Sequence, residues 1–189
     1  MKLDSNRADM LKRFCATILC GHREEVFRRC KDCVEKASDE VDGMESVLYV
    51  LSGGDIDEND PYHNVADEDK QLVKPQCYLI STDAGAPELE DFFWFVENLK
   101  TARGLSFPID KKKFSDHNSI VKWLEELSEQ LEDLYIVNFA GNSEDFHFTI
   151  MDQDDSEKAV DSFKSLTADT SDDDDTSFLI TKGSLTSTL

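Results

Sequence analysis

Apolar residues in the first fifty positions recur at the spacing of amphipathic helices. Three stripes follow one another: Leu11, Phe14, Cys15, Ile18 and Leu19; Val26, Phe27, Cys30, Cys33 and Val34; and Met44, Val47, Leu48 and Leu51. Residues three and four apart lie on one side of a helix, so each stripe is a candidate buried face. Gly21 separates the first two stripes, and Gly53 with Gly54 follows the third. The pattern predicts two consecutive helices, or one kinked helix, over residues 6–37, and a third helix that stops at Gly53.

After residue 74 the apolar residues form short runs that alternate with helical stripes. Runs typical of strands occupy residues 77–81, 105–109, 134–139 and 146–150. The helical stripes are Leu89, Phe92, Phe93, Val96 and Leu99; Ile120, Val121, Trp123 or Leu124, Leu127 and Leu131; and Val160, Phe163 and Leu166. Gly141 and Asn142 favour a hairpin between the last two strands. We therefore expect an α/β fold, bordering on α+β, in which N-terminal helices precede a mixed sheet of about four strands with packed helices.

Changes in composition divide the chain into four segments. We expect an N-terminal helical segment at 1–52, an acidic loop at 53–74, an α/β core at 75–167 and a flexible, acidic, Ser/Thr-rich tail at 168–189. The run Asp172 to Asp175 is typical of a solvated tail. Phe178 to Ile180 offers an alternative, in which this part of the tail docks as an edge strand.

Negative charge dominates the composition and is unevenly distributed. The chain has 41 Asp and Glu against 20 Lys and Arg, a net charge of −21. Residues 1–36 contain nine basic and six acidic residues, whereas residues 37–189 contain 11 and 35. Such a surface repels phosphate backbones and anionic lipid heads, so we predict no nucleic-acid or membrane partner, and it attracts basic proteins. The plain alternative is that the charge only keeps the protein soluble.

The basic residues of the second stripe stand among acidic ones. Arg28, Arg29 and Lys31 alternate with Glu25 and Asp32, which is typical of a solvated helix face with internal salt bridges. The five cysteines are an odd number spread through helical sequence, which fits reduced thiols better than a disulfide framework. With no spanning apolar stretch and no cleavage pattern in the sequence, these features predict a cytoplasmic protein.

Motifs for catalysis, cofactors and metals are not recognised in the sequence. Cys30-x-x-Cys33 has the spacing of a zinc knuckle, but both residues lie on an apolar stripe and no second pair exists, so we expect buried apolar side chains. Asp55 and Asp57 resemble the start of a calcium loop, yet Asp60 stands where that loop needs glycine. Nucleophile elbows, phosphate loops and dinucleotide fingerprints are absent. We predict a protein with no cofactor and no metal that is not an enzyme.

A ligand or catalytic site at the carboxyl ends of the strands is one alternative to protein binding, because open α/β sheets usually bind ligands there. Its candidate residues are Asp83, Asn138 and His147. His147 alternates with Phe146 and Phe148, so it faces the opposite side of its strand. If that side lines a groove, His147 can do acid–base work beside a carboxylate. The simpler alternative is a surface histidine on an edge strand.

Four short motifs fall between Tyr78 and Met151. They are Leu-Ile-Ser-Thr-Asp at 79–83, Phe-Phe-Trp at 92–94, Tyr-x-Val-x-Phe at 135–139 and the hairpin to Asp-Phe-His-Phe at 145–148. With these motifs the segment resembles a class of uncharacterised bacterial domains. In composition the chain is similar to small acidic immunity proteins, which neutralise toxins in bacterial competition. That resemblance implies an inhibitor of a toxin and carries over no catalytic residue.

These features favour an acidic protein-binding module of the cytoplasm, an immunity- or antitoxin-type inhibitor of a basic partner. A complementary field speeds the encounter of such partners. The predicted partner-binding residues are Asp55, Asp57, Glu58, Asp60, Glu144, Asp145, Asp152, Asp154 and Asp155. A small-molecule-binding or enzymatic domain with the strand-end site is the first alternative. The second is a scaffold or regulatory protein whose N-terminal helices pair with another chain.

Overall fold

Six helices and a small antiparallel sheet make up the described part of the chain. The computed structural model describes residues 3–54, 75, 77–83, 87–115, 119–139, 145–167 and 180–181. Three helices come first: α1 (Ser5–Ile18), α2 (Glu24–Lys36) and α3 (Glu40–Leu51). The elements that follow are β1 (Ile80–Asp83), α4 (Leu89–Arg103), a 3-10 turn (Lys111–Lys113), α5 (Ile120–Ser128), β2 (Leu134–Phe139), β3 (Asp145–Asp152), α6 (Gln153–Thr167) and β4 (Ile180–Thr181). The predicted mixture of helices and strands is confirmed.

The first two predicted helices are separate rather than one kinked helix. Cys20 has a left-handed φ of 52° and Gly21 a φ of 152°, and neither value continues a helix. The third helix stops where the glycines predicted it would. Gly53 has a φ of 87°, and its N–H donates to the carbonyl of Val50 at 3.1 Å. Local chemistry alone therefore fixes the ends of these helices.

The sheet differs from the prediction in strand count and direction. Its order is β1-β3-β2-β4 and every pair is antiparallel, so the expected mixed sheet is wrong. The core of the sheet has three strands, not four, and β4 adds only a two-residue pairing with β2. The strand predicted at 105–109 does not form, because the apolar side of this segment packs among helices. Phe107 is buried there, and Leu105 and Ile109 are partly buried against the same cluster.

Two hydrophobic cores cover the two faces of the sheet. The first core joins α1, α2, α3 and α6 to the sheet residues Leu79, Val137, Phe139 and Met151. The second core joins α4 and α5 to the sheet residues Ile80, Ile136, Phe148 and Ile150. Successive side chains of a strand point to opposite faces, so each strand supplies both cores. The result is three layers, helices on sheet on helices.

The N-terminal helices are part of the same packing unit as the sheet. Phe14 of α1 lies with its ring centroid 5.4 Å from that of Phe139 in β2 and 5.6 Å from that of Phe163 in α6. The segment predicted at 1–52 therefore shares its core with the segment predicted at 75–167. Among the described residues, the helices are too short or too polar for any of them to span a membrane.

Buried arginines fasten the ends of helices. Arg29 is 2 % exposed and donates to the carbonyl of Gly54 at 3.0 Å, so its predicted place on a solvated face is wrong. It lies three residues after Val26, on the apolar stripe of α2. Arg103 donates to the carbonyl of Ile18 at 2.6 Å, and burial lowers the pKa of its guanidinium. Such contacts use the carbonyls that a helix leaves without partners at its end.

Candidate functional site

The predicted partner-binding carboxylates are dispersed, as far as the chain is described. Asp55, Asp57, Glu58, Asp60 and Glu144 lie outside the described residues. Asp145 begins β3 and Asp152 ends it, which separates them by roughly 24 Å in a strand. Asp152 accepts from the backbone N–H of Asp155 at 2.9 Å, and Asp154 is exposed beside them. The described members of the set therefore lie at two ends of the sheet, and Asp152 directly precedes α6.

The strand-end candidates lie at one end of the sheet but not on one face. His147 is fully buried on the central strand β3, so the prediction of a surface histidine on an edge strand is wrong. Its ring faces the first core, edge-on to Tyr49 with centroids 5.1 Å apart. Asn138 alternates with the residues of the first core and so lies on the opposite face. In the register of β1 with β3, Asp83 pairs with Asp145, and Asp83 is the last residue of β1.

The cysteine pair of α2 is buried as predicted. Cys30 and Cys33 lie in the first core together with Cys15 of α1. Burial raises the pKa of the Cys30 thiol well above its ordinary value, and a hydrogen bond with Cys15 raises it further. Across the described ranges, no three His, Cys, Asp or Glu side chains are grouped to hold a metal ion.

The Cys30 thiol makes stability depend on alkaline pH. Its pKa is higher in the folded chain than in the unfolded one, so its contribution is complete below the ordinary pKa of 9.0 and is lost as pH rises above that value. We expect the free energy of unfolding of Cys30→Ala to fall less steeply above that pH, by up to about 1.4 kcal/mol per pH unit. Urea unfolding on both sides of it measures the slope. Cys20→Ala, which removes an exposed thiol, serves as control. Equal slopes in all three proteins would contradict the prediction.

A groove of about 430 Å³ opens along the outer side of β1. The end of α3 forms one wall with Tyr49, Ser52, Gly53 and Gly54. Helix α4 forms the other wall with Trp94, Phe95 and Asn98. Cys77, Leu79, Ile80 and Ser81 form the floor. The two glycines have no side chains, so the space beside the strand stays open.

The floor of the groove is formed by the first two residues of β1 and by Cys77 and Leu79 just before them. Leu79 belongs to the first core and Ile80 to the second, so consecutive residues of the floor point to opposite faces. The groove touches both of these residues and both helical layers, so it lies beside the start of β1 at the terminal edge of the described sheet. In the strand order β1 is the terminal strand, and among the described residues it pairs only with β3.

Two polar side chains on the walls form hydrogen bonds to their own helices. Ser52 Oγ donates to the carbonyl of Tyr49 at 2.8 Å, and Asn98 Nδ2 donates to the carbonyl of Trp94 at 2.7 Å. Small-molecule sites usually have several polar groups that converge on the ligand. Here the groove offers chiefly apolar walls and a strand edge.

Trp94 lies at the mouth of this groove with 59 % of its surface exposed. Among the large apolar residues of the described chain, only Val121 is also exposed, at 40 %. Glu90 and Asp91 stand four and three residues before Trp94 in the same helix, are exposed, and form no ion pair with another described residue. Residues at these spacings are neighbours on a helix surface, so carboxylates border the indole ring.

Sequence reasoning missed this groove, although one signal was available. Residues 92–95 are four consecutive aromatics in a helix. Consecutive residues are about 100° apart around a helix, so four of them cannot all face one core. Phe92 and Phe93 continue the stripe to Val96 and Leu99, which turns Trp94 outward. The depth of the groove depends on the end of α3, which the local pattern does not place beside α4.

A second depression lies between α1 and α6 and measures about 710 Å³. Arg13 and Lys158 line it together with Asp155 and Asp161. Lys158 Nζ pairs with Asp155 at 3.1 Å, so charges of both signs are mixed along its wall. Its side chains present neither an exposed aromatic ring nor one sign of charge, and we regard the β1 groove as the candidate site.

Comparison with known proteins gives a family and no described activity. A family model described as Domain of unknown function (DUF6630) matches residues 11–173. No curated protein sequence and no solved structure matches the chain. The matched range extends from α1 past the end of α6, so it includes both cores and the β1 groove.

Proposed function

We propose that this chain, which belongs to the DUF6630 family, is a binding protein that holds a basic segment of a partner protein at Trp94. The exposure of that indole ring beside the groove carries the proposal. Tryptophan is enriched among the residues that dominate binding energy in interfaces, and it is the best aromatic partner for a cation. Trp94 is not a single exposed apolar residue on a polar surface but part of a largely apolar groove, and such grooves favour a binding role.

Charge supports the choice of a basic partner. The chain has a net charge of −21, and Glu90 and Asp91 place two carboxylates near the ring. A lysine or arginine side chain over the indole ring would meet these carboxylates at the same time. Such a pairing speeds encounter and weakens as salt rises, because exposed charges are screened within about 10 Å at 0.1 M salt.

Peptide selection on the full chain tests this proposal. Random peptides of about ten residues, the upper length of ordinary strands, are selected against the immobilised parent and then measured by fluorescence anisotropy. We expect the selected peptides to be rich in Lys and Arg. We expect Trp94→Ala to weaken their binding by roughly 30-fold, the loss typical of a dominant interface residue.

Val121→Ala is the matched control, because it also truncates an exposed apolar side chain of a helix but lies outside the groove. It should bind the selected peptides as the parent does. The proposal fails if Trp94→Ala and Val121→Ala bind equally well, or if the parent selects no peptide above the level of Trp94→Ala.

The narrower form of this function is an immunity- or antitoxin-type inhibitor that caps a basic toxin in the cytoplasm. The acidity of residues 37–189, with 35 acidic against 11 basic residues, supports a basic partner. The five cysteines are all free thiols, which reducing compartments such as the cytoplasm favour. Inhibition requires that the bound segment belong to the partner's active surface. A basic toxin whose activity is blocked by the parent and not by Trp94→Ala would supply that evidence.

A further inference from the structure

We infer that the partner segment binds by strand addition, as an extended chain that pairs with the outer edge of β1. This inference rests on the proposed function and adds the mode of binding. An edge strand has backbone N–H and C=O groups on one side that are free to pair with another chain. β1 is such a strand in the described sheet, and the groove lies beside its first two residues, Ile80 and Ser81, between the two helical layers.

Within the described chain, β1 has no proline, lysine or bulge, which are three of the features with which proteins protect an open edge. The strand is short, with four residues, and it ends in Asp83. Residues 80–82 are Ile-Ser-Thr, and their pairing with β3 is regular from Ile80 to Asp83. α3 and α4 stand on either side of the edge and leave a slot between them. A four-residue strand in that slot would span about 13 Å.

Alternation along the added strand predicts what the groove selects. Side chains of the added strand that share a face with Ser81 would lie beside Tyr49 and the α3 wall. Side chains at the positions between would lie beside Trp94 and Phe95 on the α4 wall. Because carboxylates border Trp94, cationic side chains belong at every second position of the partner segment. The expected signature is therefore a basic residue with a period of two.

Charge argues that the occupant is a foreign basic segment and not a second copy of this chain. Pairing two β1 edges would bring together two proteins that each have a net charge of −21. The repulsion between them opposes a homodimer at low salt. A basic segment has the opposite sign and gains from the same field.

Backbone methylation of a selected peptide tests strand addition separately from binding itself. The peptide is synthesised twice, with N-methyl groups on its odd-numbered or on its even-numbered residues, and both forms are measured against the full chain. In a strand, alternate N–H groups point to the same side, so only one form loses the bonds to β1. We expect that form to bind about tenfold more weakly or worse and the other to bind as the unmodified peptide does. Amide exchange within Ile80–Asp83 should slow when the unmodified peptide is bound.

Three outcomes overturn the inference in distinguishable ways. If both methylated forms bind equally well while Trp94→Ala still weakens binding, the partner does not add a strand and the proposed function stands. If no peptide depends on Trp94, the proposed function and the inference fail together. If sedimentation shows a dimer of the parent that Trp94→Ala dissociates, the occupant is a second copy of this chain. Alternate sensitivity to methylation together with slowed exchange in β1 supports the inference.

Discussion

Replacing Phe92 by alanine is expected to lower the free energy of unfolding by about 3–5 kcal/mol. Phe92 is fully buried at the centre of the second core. Its ring centroid lies between 5.5 and 6.4 Å from those of Phe93, Phe114, Trp123 and Phe148. The substitution removes this ring and leaves a cavity among four others, so both transfer and cavity terms oppose folding. Urea unfolding followed by circular dichroism should show a lower midpoint with an unchanged slope.

Trp94→Ala is the matched control for this measurement. It truncates an aromatic side chain two residues away in the same helix, but that side chain is mostly exposed. Its effect on stability should stay within about 0.5 kcal/mol, as for most surface substitutions. Phe92→Leu removes less volume and keeps the fold measurable if the alanine variant unfolds. Equal losses for Phe92→Ala and Trp94→Ala would contradict the placement of α4 against the sheet.

Phe139→Ala should cost a similar amount, about 3–5 kcal/mol, from the other face of the sheet. Phe139 is fully buried in the first core, with its ring centroid 5.4 Å from that of Phe14 and 5.0 Å from that of Phe163. Its loss would loosen α1 and α6 from β2 at once. Thermal unfolding should move to lower temperature, and peptide binding to the β1 groove should persist wherever the variant remains folded.

The layered arrangement can be tested by combining the two sites. Phe92 and Phe139 lie in different cores and share no aromatic neighbour among the described residues. Substitutions at sites without shared partners usually add within about 0.5 kcal/mol. A double-mutant cycle is measured with Phe92→Leu and Phe139→Leu. Two alanine substitutions are avoided because their combined loss would exceed the free energy of unfolding of most domains. A coupling above about 1 kcal/mol would mean that the two faces pack as one unit.

The binding at a strand edge that we propose would give the acidity of the chain a specific role. Negative charge over residues 37–189 attracts any basic protein, but it does not choose among them. The groove would select among basic partners through backbone pairing and contact with the indole ring, because both interactions act at short range. The sequence points to the first effect, and the second depends on how α3, β1 and α4 assemble.

Local sequence determined most of the secondary structure of this protein. The three N-terminal helices, the helix ended by Gly104 and the strand at 134–139 are confirmed, because periodicity and capping residues act within a few positions. Gly104 has a φ of 66° and ends α4, which is the usual role of a glycine directly after a helix. The local sequence also determined the burial of Cys30 and Cys33, since both lie on one apolar stripe.

Only the tertiary structure decided which strands pair and which surfaces meet. Residues 105–109 have an alternating apolar pattern that suits a strand or a segment lying on helices equally well. In the structure the segment packs among helices and forms no strand. For His147, alternation predicts a side of the strand without saying what covers it, so a groove and an exposed surface were both open. His147 is instead fully buried beside Tyr49 of α3. The β1 groove arises in the same way. Its walls lie far apart in sequence, and long-range packing, which no local pattern encodes, brings Ser52 and Trp94 to one edge of the sheet.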